Sequence, residues 1–283
     1  MTTHDRTGSY VVIGATCAQG GAVATALLDR GVPVRAVVRR PDSGAASRLA
    51  DRGADLAVAN LDDPRSLTAA FADATGVFAL TTPFERGPEE EVAQGTSILE
   101  AASAAGVGHL VFSSVASADR HTGVPHFESK LVVEQALATS GIPHTIVGPT
   151  YFYDNLLGGI DQIRDGVLDL ALPADVPLQQ LSRRDLGEFV ALVFADPERF
   201  LGLRIDIASD NPTPAQMAAS LSRRLGHEIR LHSSDPAQIG SADMRAMFGF
   251  LATDGYSADL PALRATYPDV GWQSFDAWVD ETL

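Results

Sequence analysis

The chain of 283 residues is poor in the features that mark secreted, membrane-spanning or nucleic-acid-binding proteins. Its one cysteine, Cys17, excludes an internal disulfide framework and fits a reducing compartment. No apolar run approaches the ~18 residues of a membrane span. The segment Met1–Tyr10 is polar, without the apolar centre of a signal peptide. A cytoplasmic location with no membrane partner is therefore expected. Positive charge is scarce too: 21 Lys and Arg face 36 Asp and Glu, for a net charge of −15. That balance opposes the basic stripes by which proteins hold nucleic acid, and no nucleic-acid partner is expected.

Lysine is the scarcest basic residue, for Lys130 is the only one. Drift toward arginine would explain the count. So would a position that needs an amine with a movable pKa, which a guanidinium cannot supply. Tyrosine is missing between Tyr10 and Tyr151. His109, His121, His126 and His144 lack the cysteine or carboxylate spacing of a metal site, so no metal is expected. The absence of Gly-x-Ser-x-Gly removes the nucleophile elbow of α/β-hydrolases.

What is present is an ordinary globular composition, 45% hydrophobic and 20% charged. Short β-branched runs alternate with longer Ala- and Leu-rich stretches. Tyr10–Ile13, Val34–Val38, Asp55–Ala59, Val77–Leu80, Leu110–Phe112 and Thr145–Val147 read as strands, most of them apolar on consecutive positions, as doubly buried strands are. Helical patterns lie around Ala22–Asp29, Ala45–Ala50, Pro64–Phe71, Glu89–Ala105 and Ser129–Thr139. This alternation predicts an α/β fold with a doubly wound parallel sheet. Residues 1–150 are expected to form it, and residues 151–283 a smaller α/β lobe, interleaved and with no linker to sharpen the boundary. To the lobe we assign Leu203–Ile207, Ile229–His232 and helices near Asp185–Ala195, Pro214–Leu225 and Ala237–Phe248.

The first strand runs into Gly14-Ala15-Thr16-Cys17-Ala18-Gln19-Gly20-Gly21 and then a helix. Glycines in such a loop permit a tight turn, close approach to a pyrophosphate and close packing of helix on strand, while the helix-start N–H groups bind phosphate. Gly14 and Gly20 stand where a G-x-x-G-x-x-G loop needs them, but Cys17 takes the middle position. Its Cβ is expected either to crowd the phosphates or to be tolerated as a small residue. At the end of strand two, where an NAD site places Asp or Glu, stand Arg39 and Arg40, which suit a 2′-phosphate. The expected cofactor is NADP(H).

With these residues in place the chain resembles the NmrA-like family, an atypical branch of the short-chain dehydrogenase/reductase superfamily. The loop is close to the family's GATGAQGG. Leu61-Asp62-Asp63-Pro64, Glu89-Glu90-Glu91-Val92-x-Gln94-Gly95, His126-Phe127-Glu128-Ser129-Lys130, Pro149-Thr150-Tyr151-Phe152-Tyr153-Asp154-Asn155 and Asp185-Leu186-Gly187 add further matches. The resemblance implies a Rossmann sheet of strand order 3, 2, 1, 4, 5, 6. It also implies contacts to the cofactor. Gly14, Thr16, Cys17, Ala18, Gln19 and Gly20 would lie about the pyrophosphate, Arg39 with Arg40 at the 2′-phosphate, and Asn60 with Leu61 at the adenine. Thr81 and Phe84 would flank the ribose and nicotinamide, with Lys130, Tyr151, Phe152 and Asn155 near them. Asn60 departs from the family's usual Asp.

Typical relatives in the superfamily use Tyr-x-x-x-Lys, but here His126 stands at the tyrosine position, four residues before Lys130. Two proton donors remain as candidates. Lys130 could orient the ribose or act as general acid if burial lowers its pKa, and His126 titrates in the right range by nature. A surface lysine paired with Glu134, and a pocket-wall histidine, are the plain alternatives. Ser113 and Ser114 are candidate substrate contacts, with Phe84, His126 and Tyr151, or else simple turn residues. The expected function is an NADPH-dependent oxidoreductase transferring hydride to a small apolar acceptor such as a quinone, enone, carbonyl or imine, with a non-catalytic NADP(H)-sensing regulator acting through protein partners as the alternative. The expected partner is a small-molecule substrate, and a homodimer is compatible with the sequence.

Overall fold

In the computed structural model, which describes residues 8–283, the chain builds eleven strands and twelve α-helices among the described residues. Most of the polar N-terminal stretch read for a signal peptide lies outside them. The strands are β1 (Ser9–Val12), β2 (Val34–Val38), β3 (Asp55–Val58), β4 (Ala74–Leu80), β5 (Leu110–Ser113), β6 (His144–Pro149), β7 (Tyr151–Phe152), β8 (Val167–Asp169), β9 (Gln180–Leu181), β10 (Arg204–Ile207) and β11 (Arg230–His232). The helices are α1 (Ala18–Asp29), α2 (Gly44–Asp51), α3 (Pro64–Phe71), α4 (Pro88–Ala104), α5 (Pro125–Thr139), α6 (Ile160–Arg164), α7 (Arg183–Ala195), α8 (Pro197–Phe200), α9 (Pro214–Leu225), α10 (Ala242–Thr253), α11 (Leu260–Thr266) and α12 (Phe275–Thr282).

The main sheet has seven strands in the order β10-β6-β5-β4-β1-β2-β3. Neighbours from β6 to β3 pair in parallel, with Tyr10 opposite Val34 and Val77 opposite Leu110. The first six strands thus follow the expected order. The seventh, β10, is the Leu203–Ile207 segment that the sequence analysis gave to the lobe. A short apolar strand carries no mark of which sheet it joins, and more than fifty residues of other structure separate it from β6.

Contacts divide the chain into two interleaved units. The first holds the chain up to Ser114, Ser129–Val147 and Leu186–Ile205; the second holds Val115–Glu128, Gly148–Asp185 and Asp206–Leu283. The first has a core of Val11, Ile13, Phe71, Val77, Phe112 and Ile146 with their neighbours. The second packs Phe127, Tyr153, Phe250, Phe275 and Trp278 around the small strand pairs β8–β11 and β7–β9.

Local chemistry sets the helix boundaries that matter below. Helix α5 begins at Pro125, a residue suited to a first turn, so His126 lies in that turn rather than before the helix. Helix α10 starts at Ala242, five residues later than the apolar pattern suggested. Ser241 accepts the Met244 N–H as its cap, while Pro236–Gln238 forms a separate turn closed by Asp235.

Candidate functional site

Where β1 meets α1, two glycines are required for different reasons. Gly14 has φ +65, a left-handed conformation that L side chains rarely adopt. A Cβ on Gly20 would stand 2.4 Å from the carbonyl oxygens of both Ile13 and Gly14, so glycine here lets α1 lie against the end of β1. Cys17 precedes the helix in extended conformation, with its side chain exposed and free of any disulfide.

A cleft of about 450 Å³ opens beside this loop, wholly within the first unit. It gathers seven of the sequence-predicted residues: Gly14, Thr16, Cys17, Arg39, Arg40, Asn60 and Leu61. Its apolar wall comes from Val37, Ala59 and Leu80. Ser43, which caps α2 by accepting the Ala46 N–H, also faces the cleft beside the two arginines. The signal for it was Asp42-Ser43 ahead of a helical run, and it was not singled out. Arg39 is exposed and 3.5 Å from Glu85, a solvated pair worth little. Arg86 spans from the segment after β4 to Asp62 at 2.5 Å and Glu90 at 3.2 Å. The Asp62 carboxyl is held below its usual range chiefly by that arginine.

A second constellation lies at the carboxyl ends of β4 and β5. Lys130 is only 7% exposed. Its ammonium donates to the Thr81 carbonyl at 2.7 Å, the Thr81 hydroxyl at 3.0 Å and Glu91 Oε1 at 3.0 Å. Glu91, on α4 and fully buried, also accepts from the Thr81 and Ser129 hydroxyls. Burial pushes the Lys130 ammonium below the usual lysine range, and the Glu91 carboxylate pulls the other way. Glu134, the partner of Lys130 in the plain alternative, is instead taken by Arg204 at 2.8 Å and by the Ser114 hydroxyl. Ser113 donates to the Gln19 side chain at 2.7 Å. Phe84 is 71% exposed on the segment after β4.

Ala18 opens α1 in the first unit, and His126, Tyr151, Phe152 and Asn155 fall in the second. His126 Nδ1 meets Asp243 Oδ2 at 2.7 Å, while the His126 backbone N–H donates to Asp243 Oδ1 at 2.9 Å. Burial pushes the Asp243 carboxyl up, but the bonds from His126 together outweigh it and leave the carboxyl below its usual range. Tyr151 and Asn155 line a cleft of about 340 Å³ with Met244, Phe248 and Leu170, where Asp169 is the lone charged residue. Burial pushes the Tyr151 phenol up to about 12, against a hydrogen bond from Asn155. Phe152 pairs with Leu181 in the β7–β9 ladder. Glu91 and Asp243 are the partners that sequence reasoning passed over. Among the described residues no cluster of metal-ligating side chains occurs, and no helix is long and apolar enough to cross a membrane.

A doubly wound parallel sheet with a glycine loop after its first strand defines a Rossmann-fold protein. The profile of the NmrA-like family matches residues 7–247, and the chain belongs to that family. FrzB of Cladobotryum sp, an NmrA-like family domain-containing oxidoreductase, is 31% identical, over 89% of this chain and 86% of its own. Triphenylmethane reductase of Citrobacter sp., crystallised with NADP(H), shares the fold at a TM-score of 0.84 and 22% identity, over 97% of this chain and 100% of its own. NmrA, a negative transcriptional regulator crystallised with NADP, does so at a TM-score of 0.80 and 20% identity, over 97% and 95%.

Proposed function

We propose that the chain is an NADPH-dependent reductase acting on a small, largely apolar acceptor such as a quinone, enone, carbonyl or imine. The observation that carries this reading is the cleft in the first unit, where a glycine loop and the pair Arg39 and Arg40 line one space. The left-handed turn at Gly14 and the glycine contact at Gly20 bring helix-start N–H groups to a pyrophosphate. Arg39 and Arg40, with Ser43 beside them, take the place of the carboxylate that would select an unphosphorylated ribose. A 2′-phosphate replaces the weak exposed contact of Arg39 with Glu85 by a charge-assisted one. When bound, the dinucleotide supplies hydride from nicotinamide C4.

The rest falls to side chains of this protein. Lys130, clamped by Thr81 and Glu91, sets a buried positive centre at the ends of β4 and β5. His126, oriented by Asp243, is the candidate donor of the proton that completes a carbonyl or imine reduction. The cleft of the second unit mixes Met244, Phe248 and Leu170 with Asn155, Gln162 and Ser234, and Asp169 is its lone charge.

One observation favours the sensor reading. The three hydrogens of the Lys130 ammonium already have partners in Thr81 and Glu91, and no tyrosine stands at position 126. NADPH oxidation against quinone, enone, aldehyde and cyclic imine acceptors decides between the two. We expect turnover with at least one, and about tenfold or greater loss of NADPH over NADH preference in Arg39→Asp. Tight NADP⁺ binding with no acceptor turned over would establish the sensor, and an unchanged cofactor preference in Arg39→Asp would reject the phosphate assignment.

A further inference from the structure

Gln94, in the second turn of α4, lines the cleft of the first unit yet is only 6% exposed. Its side-chain oxygen is buried and has no hydrogen-bond partner among the described residues. A buried unpaired amide oxygen is costly, and such atoms are rare in native interiors unless a ligand completes them. Its neighbours in the lining sort into two groups. Arg39, Arg40, Ser43 and the Gly14 loop suit phosphate, whereas Val37, Ala59, Leu61 and Leu80 make an apolar wall that suits the flat face of a base.

Asn60, the other carboxamide of the cleft, is engaged in its own turn. Its oxygen accepts the Asp62 N–H at 3.3 Å and its NH₂ faces Asp62 Oδ2 at 3.5 Å. Gln94 therefore offers the cleft an uncommitted amide oxygen. A glutamine carboxamide matches the N6/N7 edge of adenine bidentately, accepting from the 6-amino group and donating to N7, whereas a 6-oxo purine offers two acceptors on that edge. The terminal torsion of glutamine is broad, so a small rotation brings the buried oxygen to the ligand.

We propose that Gln94 reads the base of the bound dinucleotide, selecting the 6-amino purine over a 6-oxo purine. The inference rests on the dinucleotide reading above. The test is equilibrium binding by isothermal titration calorimetry, using NADP⁺ and its hypoxanthine analogue, which carries oxygen in place of the 6-amino group. The parent protein should bind NADP⁺ roughly tenfold more tightly than the analogue, while Gln94→Leu and Gln94→Met should bind NADP⁺ roughly tenfold more weakly and no longer distinguish the two. Without ligand both variants should melt no lower than the parent, because they delete an unpaired buried amide oxygen. A preference that survives in the variants, or an equal loss on both dinucleotides, would overturn the assignment while leaving the dinucleotide site intact. Failure of the parent to bind either dinucleotide would instead remove the reading on which it rests.

Discussion

Helix α5 carries two nitrogen bases four residues apart, and each meets a carboxylate in a different unit of the protein. Lys130 meets Glu91, which is fully buried and ringed by hydroxyl donors. His126 meets Asp243, which keeps about a quarter of its side chain in solvent. The same pairing of cation and carboxylate thus has two physical characters. A sealed pair fixes charge in a low-dielectric setting, whereas the second pair keeps part of its carboxylate in contact with water. On this difference rests the proposal that the first pair positions and the second delivers a proton.

The sharpest way to break the contrast is Glu91→Gln. It strands the Lys130 ammonium without its carboxylate and should cost about 3–5 kcal/mol in urea unfolding. Replacing both partners, Glu91→Leu with Lys130→Met, should return most of that loss, because no unpaired charge then remains. Next comes Ser129→Ala, which removes one donor to Glu91 and should cost about 1 kcal/mol by the same measurement. A neutral result would mean the carboxylate does not need its hydroxyl ring.

Asp243→Asn should have the smallest effect on stability, and one that depends on pH. A folded-state carboxyl held below its unfolded value adds stability above that unfolded value, about 3.9, and loses it as pH falls through the lowered folded one. The gap between parent and Asp243→Asn should therefore be widest near neutrality and close below about pH 4. Urea unfolding between pH 3 and 7 checks this, and a gap that widens on acidification would contradict it.

The site divided by range of interaction in how legible it was. The Gly14 loop, Arg39 with Arg40, and Asn60 with Leu61 are short segments at strand ends, where a linear pattern carries the geometry. Lys130 was conspicuous by its rarity, yet its partner was not. The neighbour four residues on, Glu134, looked suitable, but Arg204 from β10 and Ser114 from the end of β5 compete for it. Glu91 appeared inside a matching motif without a role, because nothing in a helix pattern tells which polar residue turns inward. Asp243 lies 117 residues from His126, and its helix began five residues later than periodicity suggested. Strand β10 was misplaced for a related reason, since its companion β6 is remote along the chain.

That remoteness bears on biosynthesis. A ribosome that has just finished β6 must make the whole stretch from Tyr151 to Leu203 before the last strand of the main sheet exists. At translation speeds of about 5–20 residues per second, the outer edge of β6 waits roughly three to ten seconds without its neighbour. During that interval the nascent chain presents a row of unsatisfied backbone groups to any other strand nearby. Chaperone dependence, and aggregation on slowed synthesis, should accordingly be traits of this interleaved chain.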